Sequence, residues 1–274
     1  MSTSPERRAP LISDLATSII GKPLYHYQQV GSTNDLIKQQ AQAGAAEGMV
    51  ILAEEQTAGR GRQGRGWSAP PGSSLLCSLL LRPTWLQPSD AFLLTMLSGV
   101  ALCEATEQIA PLRAGLKWPN DLWLPAAPDL QTPSLKAAGI LSEIEIRQGE
   151  IVWVVLGIGI NVNWRPTGIV DGRDLSQVAT SIAAAAGQEI DRGAMLRALL
   201  ERLDAHYIAL RRGRREALFN AWRARLAMLG QEVRVRLPNG ELTGVAEDVD
   251  HSGALLLRDA TGQLHTITAG DVGN

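Results

Sequence analysis

The sequence predicts an α+β fold: a mixed or antiparallel sheet with helices on one side, followed by a small β-barrel. Three observations predict it. Strand-like and helix-like segments do not alternate as β-α-β-α, which disfavours a doubly wound parallel sheet. Residues 151–160 (IVWVVLGIGI) are apolar almost throughout and read as a central strand. Beyond Gly230, short strand-like runs separated by turn residues replace the helices, and so short a meander must close on itself to protect its edges.

Residues 1–10 are polar and expected to be disordered; 11–20 read as a short helix or turn. A strand is expected over 24–30. A helix then opens at Gly31-Ser32-Thr33-Asn34-Asp35 with Ser32 or Thr33 as N-cap and runs to about residue 43. Residues 49–55 form a strand, 69–72 (APPG) a turn, and 75–81 a buried strand. Leu93, Leu94, Leu97, Val100 and Ala101 recur at helical spacing within a helix over 90–110. A strand over 116–124 is broken at Pro119, and a proline-bearing hairpin turn follows at 126–133. Strands cover 136–147 and 151–163. Helices start near 178, 192 and 214, the last carrying Leu218, Trp222, Leu226 and Leu229 on its apolar face. The barrel strands are 231–237, 241–247, 254–258 and 263–268, with turns at Pro238-Asn239-Gly240, 250–253 and 259–262. The predicted units are an extension over 1–22, a main domain over 23–229 and a small domain over 230–274.

A chain of 274 residues with 45% apolar and 20% charged residues is ordinary for a soluble globular protein. A net charge of −2 creates no global attraction to nucleic acid or membrane, so anion binding must be local. No apolar run is read as long enough to span a bilayer, and the polar N-terminus lacks a signal-peptide core. Cys77 and Cys103 sit in apolar stretches and read as buried, reduced thiols of a cytoplasmic protein. The four histidines show no metal-ligand spacing. Arginines number 22 and lysines four (Lys22, Lys38, Lys117, Lys136), so a retained lysine marks a place for a compact ammonium.

The densest chemical signal is Gly59–Gly66, with three arginines and four glycines in eight residues. Glycine lets backbone N–H groups approach a ligand, and arginine offers rigid charged forks for phosphate or carboxylate. Gly59-x-Gly61-x-x-Gly64 matches the dinucleotide fingerprint only formally, because Trp67-Ser68-Ala69-Pro70-Pro71 cannot continue as the required helix. No P-loop ending is present. An anion-binding loop and a solvated loop both remain open. Lys117-Trp118-Pro119-Asn120-Asp121 is either a packed turn or a nucleotide contact, with Asn for a base edge and Asp for Mg²⁺. Lys136 precedes small residues (AAG) that leave room beside it, unless it is simply exposed. Gly157 and Gly159 in a central strand indicate close approach of a ligand or backbone, and Asn161 follows at a buried end.

In this order and at these separations, the Ser32-Thr33-Asn34 start, the Gln56…Gly59-Arg-Gly-Arg-x-Gly-Arg-x-Trp67 loop, Lys117-Trp-Pro-Asn-Asp121, Lys136-Ala-Ala-Gly-Ile-Leu and Gly157-x-Gly-Ile-Asn161 resemble biotin protein ligase, also called biotin–[acetyl-CoA-carboxylase] ligase. The resemblance covers residue 25 to the C-terminus. It implies a catalytic domain like that of class II aminoacyl-tRNA synthetases and lipoate ligases, then an SH3-like barrel. The implied activity uses MgATP to convert biotin to biotinyl-5′-AMP and transfers biotin to one lysine of a carrier, the biotin carboxyl carrier domain of acetyl-CoA carboxylase.

The resemblance places Ser32, Thr33, Asn34 and Gln56 around biotin, and Arg60, Gly61, Arg62 and Lys136 at its carboxylate and the α-phosphate, with Arg62 and Lys136 as the catalytic cations. It assigns Arg60, Arg65, Trp67, Lys117, Asn120 and Asn161 to ATP, Asp121 to Mg²⁺. Whether Arg65 touches ligand or orders the loop stays open. Some members stack a tryptophan on adenine from the loop after Asn161; here that loop offers Trp164. Fewer than 30 residues precede the catalytic start, too few for the winged helix of bifunctional members. A monofunctional enzyme without DNA binding is expected, with a homodimer left open. The rivals are a lipoate–protein ligase and a nucleic-acid-binding module. The acidic balance opposes the second.

Overall fold

The structure, a computed structural model, describes residues 6–128, 134–170, 172–238 and 240–273. Residues 1–5, and the parts of two predicted turns at 129–133 and Asn239, lie outside the described residues. Residues 6–8, expected to be disordered, instead pair with β1 (Leu24–Val30): Arg8 N–H donates to the His26 carbonyl at 2.8 Å and Gln28 N–H to the Glu6 carbonyl at 3.1 Å. Residues 11–20 form no helix. The Ser18, Ile19 and Ile20 N–H groups donate at 2.8–2.9 Å to the Asp204 carboxylate, which satisfies donors a helix would have used internally.

After β1 come α1 (Thr33–Gln42), β2 (Val50–Gln56), β3 (Ser74–Leu81) and α2 (Phe92–Ile109). The predicted broken strand is a hairpin. β4 (Gly115–Lys117) and β5 (Asp121–Pro125) run antiparallel with Lys117 opposite Asp121, and Trp118-Pro119-Asn120 makes the reversal. β6 (Ser134–Arg147) and β7 (Glu150–Asn161) form the long central hairpin. The sheet order is β1-β2-β3-β7-β6-β5-β4, with only β1 and β2 parallel, so the sheet is mixed as predicted.

Short β8 (Ile169–Val170) and β9 (Arg173–Asp174) lead to α3 (Leu175–Val178), α4 (Ile182–Ala186), α5 (Arg192–Arg211) and α6 (Arg215–Arg223). The helix expected near 178 is therefore two short pieces, the second started by Ser181, whose hydroxyl accepts from Ala184 N–H at 3.1 Å. α6 stops before Leu226. Residues 225–227 instead run beside β4, with Leu116 N–H donating to the Arg225 carbonyl and Ala227 N–H to the Leu116 carbonyl.

Helices occupy both faces of the sheet, not one. Alternate side chains on each strand point to opposite faces. Leu75, Cys77, Leu79, Leu156, Ile158 and Ile160 join α2 and α5 in the main core. Ile51, Ala53, Leu80 and Val155 pack under Ile37 and Ala41 of α1 on the other face. The second face is the one that carries the site. By length and composition alone, and contrary to the sequence reading, the 22-residue stretch Pro88–Ile109 could span a bilayer, with a mean hydropathy of 1.2 over an 18-residue window; 72% of that window is buried in the fold, as in a core helix.

The small domain holds β10 (Glu232–Leu237), β11 (Gly240–Val249), β12 (Leu255–Arg258), β13 (Leu264–Ile267) and a further strand, β14 (Asp271–Gly273), that periodicity could not show in three residues. The order is β13-β12-β11-β10-β14, all antiparallel, and among the described residues no pairing joins β13 to β14. Its apolar face (Val235, Ala246, Leu255, Leu257) is continuous with the main core. Trp118 fastens the two parts by donating its indole N–H to the Gly253 carbonyl at 2.8 Å.

Both cysteines are buried and unpaired, and burial pushes each thiol up to about 12. The thiolate is the reactive form. A thiol reagent at about pH 8 should label neither residue in the folded protein and both after unfolding; labelling of the native chain would contradict this packing.

Candidate active site

The α1 face of the sheet is bare where β6 and β7 carry glycine. Gly139 and Gly159 are cross-strand partners. A Cβ on Gly159 would come within 2.6–2.9 Å of the Trp67 indole, and one on Gly157 within 2.2 Å of Asn34 Oδ1. Both contacts are shorter than any real Cβ makes, so these positions exclude side chains. Trp67 and Asn34 can lie on the sheet only because of them.

At the start of α1, Ser32, Thr33 and Asn34 are buried. Gln56 Oε1, from the end of β2, accepts from Thr33 N–H at 2.7 Å and from its hydroxyl at 3.0 Å. Ser78 Oγ from β3 lies 2.7 Å from Thr33 Oγ1 and also bonds Asn34 Oδ1, while Asn34 Nδ2 donates to Glu143 Oε2 at 2.7 Å. Lys38 Nζ bridges Glu143 at 2.8 Å and Asp35 at 2.9 Å. Arg60 forks onto Asp35, and its hydrogen bonds hold that carboxyl down at about 2. The network fixes a row of donors and acceptors before any ligand arrives.

The Arg/Gly loop folds back on itself. Gly61 N–H donates to the Arg65 carbonyl at 2.7 Å and Trp67 N–H to the Gly59 carbonyl at 2.9 Å. The tip turns through Gln63 at φ 56° and Gly64 at φ 72°. Arg62 Nη1 donates to Asn120 Oδ1 at 3.1 Å and lies 3.7 Å from Asp271 Oδ1; Arg65 contacts the same carboxylate. Asn120 is itself held by donation to the Ile140 carbonyl at 2.6 Å. Lys136 Nζ lies 2.7 Å from Asp121 Oδ1 and 5.5 Å from the Trp67 ring centroid.

Two cavities meet here. The larger, about 670 Å³, is lined by Arg62, Arg65, Trp67, Lys117, Asp121, Lys136, Asn161 and Trp164 among others. The smaller, about 40 Å³, is lined by Ser32, Thr33, Asn34, Gln56, Arg60 and the sheet glycines. Gly61, Trp67 and Lys136 line both. Six cationic and three anionic side chains line the larger cavity, a local excess of positive charge in a chain of net charge −2. Such an arrangement can hold a neutral polar group in the small compartment and a polyanion in the large one, with Lys136 at the junction.

Most predicted site residues therefore converge. Arg60 faces only the small compartment and is engaged by Asp35. Asn120 lines neither cavity and acts through Arg62. Asn161 is buried and donates to the Thr180 carbonyl at 3.0 Å. Lys117 places its Nζ 4.3 Å from the Trp123 ring centroid. Sequence reasoning missed Ser78, Glu143, Asp35, Lys38 and Asp271. Ser78 had a signal, a lone polar residue at the centre of an apolar strand. Replacing Ser78 by Ala should cost about 1 kcal/mol of stability; an unaltered Tm would show that Ser78 does not order this network.

The chain is similar to known proteins along most of its length. Residues 26–161 match the Biotin/lipoate A/B protein ligase family, and residues 228–272 the Biotin protein ligase C terminal domain. The bifunctional ligase/repressor BirA of Bacillus subtilis is 32% identical over 90% of this chain and 73% of its own length. The biotin–[acetyl-CoA-carboxylase] ligase of Mycobacterium tuberculosis is 34% identical over 89% of this chain and 86% of its own. The biotin protein ligase of Aquifex aeolicus, solved with biotin and ATP, superimposes with a TM-score of 0.74 at 26% identity, covering 92% of this chain and 98% of that one. With two matched domains in the expected order and a relative 32% identical over nine-tenths of this chain, the chain belongs to the biotin protein ligase family.

Proposed function

We propose that the two joined cavities carry out both steps of biotin ligation, with roles that follow from which compartment each side chain lines. The chain is a ligase whose substrates are biotin and ATP. The observation that carries the residue assignment is Lys136, which lines the large cavity together with Arg62 and the small one together with the α1 polar row. Ser32, Thr33, Asn34 and Gln56 take the neutral ureido ring, which needs fixed donors and an acceptor. Arg60 and the Gly61 backbone border the valeryl carboxylate; Arg62 and Lys136 meet it and the α-phosphate. Arg65, Trp67, Lys117, Asn120 and Asn161 surround the nucleotide, Asn120 by holding Arg62.

Adenylation brings two anions together. Arg62 and Lys136 offset their repulsion and stabilise the charge gathered at phosphorus in the transition state. Three carboxylates line the large cavity, Asp121, Glu241 and Asp271, and Asp121, beside Lys136, is the one that would hold the Mg²⁺ of MgATP. No group of three metal-type ligands occurs among the described residues. This donor set fits an ion that arrives on the triphosphate, neutralises its oxygens and takes one protein carboxylate. In the second step a carrier lysine attacks the mixed anhydride, AMP leaves, and the protein positions the amine and excludes water. We take the carrier domain of acetyl-CoA carboxylase as the macromolecular partner, neither nucleic acid nor membrane, and the cytoplasm as the compartment; a homodimer is compatible with this reading.

A bicyclic acid needs far more room than about 40 Å³. Trp67 and the Arg/Gly loop must therefore lift and re-close over the adenylate. Cleavage by trypsin at Arg60, Arg62 and Arg65 should slow with biotin plus ATP; an unchanged cleavage rate would refute closure. The reading as a whole is tested by transfer of radiolabelled biotin to a carrier domain. Label should reach the carrier lysine only with ATP, and lipoate should not compete. ATP-independent labelling, or preference for lipoate, would overturn it.

A further inference from the structure

The polar row of the small compartment is fixed in direction at both ends. At one end a backbone N–H, that of Thr33, donates to Gln56 Oε1 at 2.7 Å. The oxygen of that amide therefore faces Thr33, and the Thr33 hydroxyl, 3.0 Å from it, donates as well. Thr33 Oγ1 is left to accept, and its neighbour is Ser78 Oγ at 2.7 Å. At the other end Glu143 on β6 meets Asn34 at 2.7 Å. A carboxylate only accepts, so the Asn34 amide turns Nδ2 to Glu143 and Oδ1 inward, toward Ser78 and the bare backbone of Gly157.

Glu143 sits opposite Val155, which packs under α1, and shares its face of β6 with Gly139 and Leu141 of the small cavity. It does not line that cavity itself and acts through Asn34, which does. Lys38 holds its other oxygen at 2.8 Å. Ser78 then has one hydroxyl proton and two acceptors before it, Thr33 Oγ1 and Asn34 Oδ1. The row is one donor short, and both acceptors belong to residues that line the small cavity. An Asn34 amide turned the other way would donate to Ser78 and remove the deficit, but its Oδ1 would then face the Glu143 carboxylate.

We propose that Glu143 is a positioning residue that sets the hydrogen-bond polarity of the small compartment: by keeping Asn34 Oδ1 inward, it makes the site accept a ring N–H and reject an isosteric ring oxygen. The proposal rests on the ureido placement above, in which the ring N–H supplies the missing donor. A site built to pair with a donor rejects an analogue that lacks it, because the acceptor is left buried and unpaired.

Glu143→Gln tests the polarity, because the change is isosteric and Lys38 fixes its sign. The glutamine oxygen is drawn to the ammonium, its NH2 group turns to Asn34, and Asn34 answers with Oδ1 and swings Nδ2 inward. In carrier biotinylation, KM for biotin should rise at least about tenfold, with KM for ATP unchanged. The sharper probes are the two cyclic carbamate analogues of biotin, each with one ureido NH replaced by oxygen. In competition binding, the wild-type chain should hold one of them at least about 100-fold more weakly than biotin. In Glu143→Gln that ratio should fall at least about tenfold. Glu143→Gln/Lys38→Met should recover part of the biotin affinity, since no ammonium then orients the glutamine. A merely structural Glu143 would lower Tm and shift both KM values together, leaving the carbamate ratio as in the wild type. An unchanged carbamate ratio in Glu143→Gln, or an unchanged KM for biotin, overturns this inference alone. A wild-type chain that binds both carbamates as well as biotin overturns the placement of the ureido ring, and this inference with it.

Discussion

Lys136→Ala is expected to lower the rate of biotinyl-5′-AMP formation about 10²–10³-fold, the typical loss when one preorganised donor to a developing anion is removed. The expectation follows from position. Lys136 lines both cavities and its ammonium is fixed by Asp121 at 2.7 Å, so it needs little reorganisation when charge develops. Arg62 lines only the large cavity and cannot replace it at the junction. Lys136→Arg should recover little, because Gly139 leaves space beside the Nζ, only 3.1 Å from where a Cβ would stand, for a compact ammonium and not for a planar fork. Stopped-flow detection of pyrophosphate release measures this step apart from transfer to the carrier. A loss of less than about tenfold would remove Lys136 from the chemistry.

Gly157→Ala is expected to have the other large effect. The added methyl would stand 2.2 Å from Asn34 Oδ1, and Asn34 is tied to Ser78 and Glu143. Neither side can yield without breaking the polar row. Overpacking of this kind costs about 1–3 kcal/mol. The functional signature is more specific: KM for biotin should rise by at least about tenfold while affinity for ATP changes little, because Asn34 faces only the small compartment. Titration of each substrate separately checks this. Equal weakening of both, or of neither, would contradict the two-compartment arrangement.

The contrast between these two residues shows what was legible in the sequence. Lys136 could be singled out because lysine is rare in this chain and small residues follow it. Gly157 and Gly159 stood out as glycines in an apolar strand, yet only the fold says what they admit, Asn34 from α1 and Trp67 from the loop. The main strands and long helices were readable because their apolar periodicity extends over many residues. The face occupied by α1 was not, since one short helix crossing to the opposite side leaves no mark in periodicity. β14 is three residues long, and residues 11–20 lack a helix because Asp204, almost two hundred residues away, binds their N–H groups. Partners supplied at long range account for the missed site residues as well. Ser78, Glu143 and Asp271 each come from a strand remote in sequence from the group they position.

We propose that the biotin carboxylate and the α-phosphate meet between Arg62 and Lys136, where the two cavities share a wall. The most direct test is a crystal structure of this chain with biotinyl-5′-AMP bound. The acyl-phosphate oxygens are expected within about 3 Å of both the Arg62 guanidinium and the Lys136 ammonium, the ureido ring against Thr33, Asn34 and Gln56, and the adenosine in the larger compartment. An acyl-phosphate contacting neither cation, or a ureido ring outside the α1 polar row, would contradict it.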